Sequence, residues 1–315
     1  MLTSVIIPTF NRCSTLLETL GALADQSYPK DSYEVLVVDD GSSDRTAPAV
    51  ARLQPDYPVP LHYLFQPNRK QGAARNLGAR TAAGPRILFL GDDIAPGRDL
   101  LIEHERAHGR FSDDERVAVI GYTTWPASFR RTRFLEYIGE QGWQFGFSLI
   151  EHPDDVPFNF LYTSNLSLSR EFFFEAGGFD EGFREYGWED IELSLRLKER
   201  GMRLVYANGA VAYHHHPISL GEFSDRQRQV GRSAWKLYER HPDMASFLSI
   251  DRIPSYRRVD HIRMRILGLF CRLTEKLDQI DLSRYYPDLM SYYYLQGLIE
   301  ARPGGEGPET GKGRP

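Results

Sequence analysis

Two aspartates, Asp92 and Asp93, follow directly on the apolar run Ile87-Leu88-Phe89-Leu90 and a glycine, Gly91. A short unbroken apolar run ended by glycine reads as a strand buried on both faces. The acids then stand where the chain leaves the sheet, and in open α/β sheets ligands bind at the carboxyl ends of the strands. Adjacent negative charges repel each other, so a cation is their natural partner. Hard carboxylate oxygens suit Mg2+ or Mn2+, and such metals commonly hold phosphates. The same pair also suits a solvated turn. A second strand-like run, at 34–38, ends in Asp39-Asp40-Gly41, so two strand ends deliver acids to one edge. Glu189, Asp190 and Glu192 form a third acidic group, which suits the positive end of a helix dipole whether or not it does chemistry. His214, His215 and His216 follow a β-like segment, where the first and third share a face. With no cysteine nearby and no helical spacing, they do not read as a self-contained metal box.

The elements that must position these groups alternate in type. Residues 5–8 read as a strand, and Ser14 suits the cap of a helix carrying Leu16, Leu17, Leu20 and Leu23. Residues 34–38 form a second strand, with Ser43 or Asp44 capping the next helix. Residues 61–65 form a third strand, and a Gly-Ala-rich helix at 72–83 precedes the strand that leads to Asp92. This rhythm predicts an α/β fold with a largely parallel sheet and helices on both faces. Further on, 117–122 reads as a strand, while 123–162 is rich in aromatic residues and arginine and has no clear period. A β segment at 164–168 precedes a helix from Arg170, a helix from Asp190 is closed by Gly201, and short strands fall at 205 and 210–213. Helical periodicity returns at 226–239 and 262–277. Residues 303–315, rich in Gly and Pro, read as disordered. The chain therefore divides into 1–222, a helical extension at 223–302, and the tail.

A length of 315 residues allows one large domain or two. Net charge is −5 without a long basic block, which weighs against a nucleic-acid partner. No run approaches the roughly 20 apolar residues needed to span a bilayer. The start of the chain is strand-like and lacks a charged leader region, which argues against a signal peptide. Cys13 and Cys271 lie far apart, so a reducing cytoplasm is the simplest compartment.

Five motifs in order resemble the family 2 glycosyltransferases of the GT-A fold: SVIIPTFNR at 4–12, VVDDGSSD at 37–44, GAARN at 72–76, FLGDD at 89–93, and GGFD at 177–180 with GWED at 187–190. Each is weak alone, and the resemblance covers roughly residues 3–220. It implies a Rossmann-like mixed, mostly parallel sheet and transfer of a sugar from a nucleotide-sugar donor to an acceptor hydroxyl, usually with inversion. It further implies donor contacts from Thr9, Asp40, Arg75 and Asp92. Thr9 would meet the nucleobase, Asp40 would accept the imide N–H of uracil, and Arg75 would reach the nucleotide or its phosphates. Asp93 matches the metal ligand of the acidic motif and Asp92 the residue facing ribose or donor sugar. His214 matches a histidine that completes the metal's coordination or touches the diphosphate, with His216 as the alternative. Asp190 matches the general base, Trp188 a wall at the acceptor sugar, and Glu189 is the competitor for the base.

Gln229, Arg232 and Ser233 are similar to the Gln-x-x-Arg-Trp motif of processive synthases, but serine stands in place of tryptophan. Together with the lack of spanning segments, this favours addition of a single sugar to a glycan or lipid-linked glycan. The stretch 257–276 mixes arginine with apolar residues and suits contact with a membrane, packing on its own domain, or a homodimer partner. Tyr285, Tyr286, Tyr292, Tyr293 and Tyr294 suit an interface or a core. A nucleotidyltransferase would need a glycine-rich phosphate loop after the first strand, and none is present at 8–12. A degenerate binding module would have lost acids that this chain retains.

Overall fold

The computed structural model describes residues 2–129, 131–255, 258–274 and 281–302. The tail expectation for 303–315, and residues 257, 275 and 276 of the arginine-rich stretch, fall outside them. The chain forms two compact units, one from 1–130, 138–184 and 189–217, the other from 131–137, 185–188 and 218–315. The strands are β1 (Thr3–Thr9), β2 (Tyr33–Asp39), β3 (Leu61–Phe65), β4 (Arg86–Leu90), β5 (Ile94–Pro96), β6 (Val117–Thr124), β7 (Asn165–Ser169) and β8 (Arg203–His214). The helices are α1 (Cys13–Ala24), α2 (Thr46–Leu53), α3 (Lys70–Thr81), α4 (Leu100–Gly109), α5 (Arg133–Glu140), α6 (Arg170–Glu175), α7 (Glu189–Glu199), α8 (Leu220–Arg240), α9 (Arg258–Thr274) and α10 (Tyr286–Ala301).

All eight strands belong to one mixed sheet in the first unit, in the order β3-β2-β1-β4-β7-β6-β8-β5. The block β3-β2-β1-β4 is parallel throughout, and β6 runs parallel to β8. β7 is antiparallel to both β4 and β6, and β5 is antiparallel to β8. The apolar runs are buried on both faces, as their composition requires. Val5, Ile7, Val35, Val37, Leu88 and Leu90 share a core with Leu16, Leu20 and Leu23 of α1 and Leu100 and Leu101 of α4. The intervening residues face the other way. Gly78 of α3 seats on Ile6 and Val38 so closely that a Cβ has no room. On the same face Phe89 packs on Phe173 and Phe179, each with ring centroids 5.4 Å apart.

Three local features differ from the periodicity. Helix α1 begins at Cys13 rather than being capped by Ser14, and Asp44 holds the starts of two helices. Its carboxylate accepts from the Cys13 backbone N–H at 3.0 Å and from the Thr46 backbone N–H at 3.0 Å. The segments at 205 and 210–213 are one strand, β8. Its register against β6 jumps from Gly121↔Ala207 to Tyr122↔Val211, and this irregularity splits the sequence pattern in two. β5 is only three residues long, too short to show a period, and pairs Ile94 with His214.

In the second unit, α8 opens with a reciprocal capping box between Ser219 and Glu222. Gly231 of α8 and Gly297 of α10 let the two helix backbones touch, with no space for a Cβ at either. Arg228 and Glu300 pair along the same seam. No helix among the described residues is long and apolar enough to cross a membrane.

Candidate active site

The parallel block sets the carboxyl ends of β1, β2 and β4 side by side, and the loops leaving them are knitted together. The Asn11 backbone N–H donates to Ser42 Oγ at 2.8 Å, and the Ser43 backbone N–H donates to Asn11 Oδ1 at 2.8 Å. Asn11 adopts a left-handed backbone, φ 53°, as asparagine tolerates. Thr9 ends β1 and donates its hydroxyl to Asp92 Oδ2 at 2.8 Å. Arg12 follows, and its Nη1 lies 3.3 Å from Asp92 Oδ1 and 2.5 Å from Asp93 Oδ2. Both acids are buried, whereas the Arg12 side chain is 45% exposed. Burial and then the charge of Asp93 push Asp92 up to about 6, against the opposing pull of Arg12 and Thr9. Burial also acts to raise Asp93, but the hydrogen bond and charge of His214, with the charge of Arg12, hold it well below the usual carboxylate range.

His214 comes to this point from the far end of the sheet, because β8 pairs with β5 immediately after the acidic turn. Its Nε2 lies 3.4 Å from Asp93 Oδ2, and its Nδ1 is buried with no hydrogen-bond partner among the described residues. The His216 ring centroid is 6.0 Å from that of His214, while His215 turns away to Glu18 at 2.8 Å. No group of three or more His, Cys, Asp or Glu side chains among the described residues is arranged to hold a metal by itself. The Asp93 carboxylate suits Mg2+ or Mn2+, while the His214 imidazole suits Mn2+ better than Mg2+.

Asp40 is buried and already in use. Its Oδ1 accepts from Gln66 Nε2 at 2.7 Å and the Arg69 backbone N–H at 2.8 Å, and its Oδ2 accepts from the Lys70 backbone N–H at 2.8 Å. These bonds hold the start of α3, where Lys70 takes a left-handed backbone of φ 73°. A carboxylate offers about four lone-pair sites, so one remains for a ligand N–H.

Arg75 and Asn76 of the GAARN motif point to separate partners. Asn76 clamps the GGFD turn, with its Oδ1 accepting the Phe179 backbone N–H at 2.8 Å and its Nδ2 donating to the Phe179 carbonyl at 2.9 Å. Gly178, at φ 66°, is pressed against Asn76 where a Cβ does not fit. Arg75 is buried, stacks over Phe179 at 5.3 Å, and directs Nη1 to Glu189 at 3.3 Å and to Asp190 at 3.7 Å. Its Nε is buried without a hydrogen bond.

Glu189 and Asp190 start α7 but differ in environment. Glu189 is buried, accepts from Gln71, and has its carboxyl raised by burial and by the charge of Asp190. Asp190 has a side chain 22% exposed. It accepts from the Thr163 backbone N–H at 3.1 Å and the Thr163 hydroxyl at 2.9 Å. Trp188 belongs to the second unit, where its Nε1 donates to the Val230 carbonyl at 2.8 Å and its ring meets Phe247. Gly187 and Trp188 both have positive φ, 91° and 71°. For a bulky residue such as Trp188 this is a strained conformation, of the kind that clusters at functional sites.

Arg12, Asn76 and Thr163 were given no role from the sequence. Arg12 lies 81 residues from Asp93, and Thr163 stands between the region without a period and the β segment that follows it. Asn76 stands inside a motif, but only the fold shows that its partner is another motif.

The glycosyl transferase family 2 model matches residues 4–171, and a model described as the N-terminal domain of galactosyltransferase matches 155–217. Validoxylamine A glucosyltransferase of Streptomyces hygroscopicus subsp. jinggangensis is 32% identical over 232 residues, 64% of this chain and 52% of that protein. The chain spans about half the length of the first curated relatives it matches, at 52% and 49%. The glycosyltransferase AglE of Haloferax volcanii is 28% identical over 95% of this chain and 90% of its own. Among solved structures, a mannosyltransferase from Pyrobaculum calidifontis superposes with a TM-score of 0.61 at 19% identity, over 95% of this chain and 86% of its own. S. aureus TarS 1–349 gives 0.58 at 18%, over 95% and 90%. The sheet is thus that of the GT-A glycosyltransferases, and the chain belongs to glycosyl transferase family 2.

Proposed function

We propose that this chain transfers a single sugar from a nucleotide-sugar donor to a hydroxyl of a glycan or lipid-linked glycan, with inversion at the anomeric carbon. The observation that carries this reading is the meeting of Thr9, Asp92, Asp93 and His214 at the strand ends, with Asp190 held by Thr163 yet partly open to solvent. The solved neighbours include complexes with UDP, UDP-GlcNAc and GDP-Man with Mn2+, which supports a nucleotide-sugar donor. A UDP-sugar is favoured, because the free lone pair of Asp40 suits the imide N–H of uracil. Thr9 borders the base, and Asp92 faces the ribose or donor sugar.

In the reaction, an acceptor oxygen forms a bond to the anomeric carbon and passes its proton to Asp190. The bond from that carbon to the diphosphate breaks, and its electron pair leaves with the nucleoside diphosphate. Thr163 aims the Asp190 carboxylate, and Arg75 Nη1 lies 3.7 Å from it. Arg75 also retains guanidinium nitrogens for donor oxygens. Glu189, buried against Arg75 and Gln71, suits positioning better than proton transfer. Trp188 is assigned to the acceptor side. A divalent cation on Asp93 and His214 would offset the charge that builds on the departing diphosphate. All these groups fall within 1–222, the span we assign to donor binding and chemistry.

A thermal-shift panel of nucleotide-sugars with Mn2+ tests the donor. A donor that binds only the folded chain raises the melting temperature. The expected result is a larger shift with UDP-sugars than with any other nucleotide, and no shift with any of them contradicts the reading.

A further inference from the structure

Helix α9 is apolar on two opposite sides. One side is buried in the second unit: Cys271 is fully covered, and Gly268 sits against Leu289 and Tyr293 of α10. The other side carries Ile262, Ile266, Leu269 and Leu273, each 61% to 70% exposed. Their spacing of four, three and four residues makes one continuous stripe along the helix. Leaving four large aliphatic side chains in water is costly, because burial of apolar surface is favourable in proportion to its area.

The charge around the stripe decides what covers it. Within Arg258–Thr274 there are four arginines against one aspartate, in a chain whose net charge is −5. Arg263 and Arg265 are both exposed. At about 100° per residue they fall on opposite flanks of the stripe, where long cationic side chains reach past an apolar surface. An apolar stripe bordered by arginines matches the boundary of an anionic bilayer, with acyl chains below and phosphates at the edges. It does not match a second copy of this helix, which would set arginines against arginines. The helix is too short and too charged to span.

We propose that α9 lies flat on an anionic membrane surface, with Ile262, Ile266, Leu269 and Leu273 in the acyl boundary and Arg263 and Arg265 among the headgroups. This surface belongs to the second unit and does not depend on the sugar-transfer reading.

Flotation of the full chain with vesicles tests it without an activity readout. Binding is expected to vesicles of phosphatidylglycerol and phosphatidylcholine, to be weak with phosphatidylcholine alone, and to fall as salt screens the arginines. The double variant Ile266→Glu/Leu269→Glu alters only exposed positions and should melt like the wild type, yet partition at least about tenfold less. Arg263→Glu/Arg265→Glu should remove the preference for phosphatidylglycerol. Absence of binding at low salt, or unchanged binding by the first variant, overturns the proposal. A wild-type dimer that Ile266→Glu/Leu269→Glu converts to monomer, without vesicle binding by either protein, assigns the stripe to a second copy and equally overturns it.

Discussion

Arg12 Nη1 stands 2.5 Å from Asp93 Oδ2, so the carboxylate proposed to hold a metal is paired with a cation supplied by the chain itself. The pairing is unequal. Asp93 lies in the buried turn after β4, whereas the Arg12 side chain is nearly half exposed. At the proposed metal site a divalent ion would compete with Arg12 for one carboxylate.

The variant Arg12→Ala should therefore lose stability without metal, by roughly 1–2 kcal/mol after allowing for solvent screening of a half-exposed charge. It should gain more from Mn2+ than the wild type does. Melting temperatures of both proteins with and without Mn2+ check this. A smaller Mn2+ shift in the variant means that Arg12 assists the ion rather than competing with it.

The parallel half of the fold was legible because β1, β2 and β4 are buried on both faces and leave unbroken apolar runs, as at Val35-Leu36-Val37-Val38. Asp92, Asp93 and Asp40 were visible as charges that interrupt those runs. Arg12 was hidden inside a recognised motif because its partner lies 81 residues away. The clamp between Asn76 and Phe179 spans 103 residues, and no local pattern records it. β5 escaped because three residues carry no period. β8 read as two strands because its register slips midway.

Asp40 joins stability to donor binding. Replacing it with alanine removes the acceptor for Gln66, Arg69 and Lys70 together. Asp40→Ala should cost roughly 2–3 kcal/mol. Asp40→Asn keeps one carbonyl oxygen, should cost about 1 kcal/mol, and should weaken UDP binding. Urea denaturation and UDP titration separate the two effects. An Asp40→Ala midpoint equal to wild type contradicts the structural role, and unchanged UDP affinity in Asp40→Asn contradicts the nucleoside contact.

Two buried histidines set an acid limit on the fold. His104 is held between Ser167 at 2.8 Å and Asn165 at 2.8 Å, and His108 reaches the same Ser167 at 2.8 Å. Burial lowers His104 from 6.5 to about 4 and lowers His108 as well. The unfolded chain therefore binds more protons than the folded one between these values. Their stabilisation is complete above about 6.5 and drains as pH falls toward 4, on the order of 3 kcal/mol for His104 alone. Urea midpoints at about pH 7.5 and about pH 5 should show this fall. His104→Gln should flatten it, and an equal fall in that variant assigns the acid sensitivity elsewhere.

Glu189 and Asp190 are adjacent acids with different surroundings, so conservative replacements should separate them. Glu189→Gln removes the buried charge that Arg75 faces. It should lower turnover by about tenfold or less, because Glu189 positions Arg75 rather than taking the proton. A loss as deep as that from Asp190→Asn makes Glu189 the base.

Asp190 is proposed to take the acceptor proton. The direct measurement is turnover by Asp190→Asn, beside its donor affinity and melting temperature. Asparagine preserves the shape and one acceptor for Thr163, so the fold and donor site should persist. A fall in kcat of about 10²–10⁴-fold is expected, with donor Kd nearly unchanged. Turnover close to wild type, or loss that follows entirely from weaker donor binding, contradicts it.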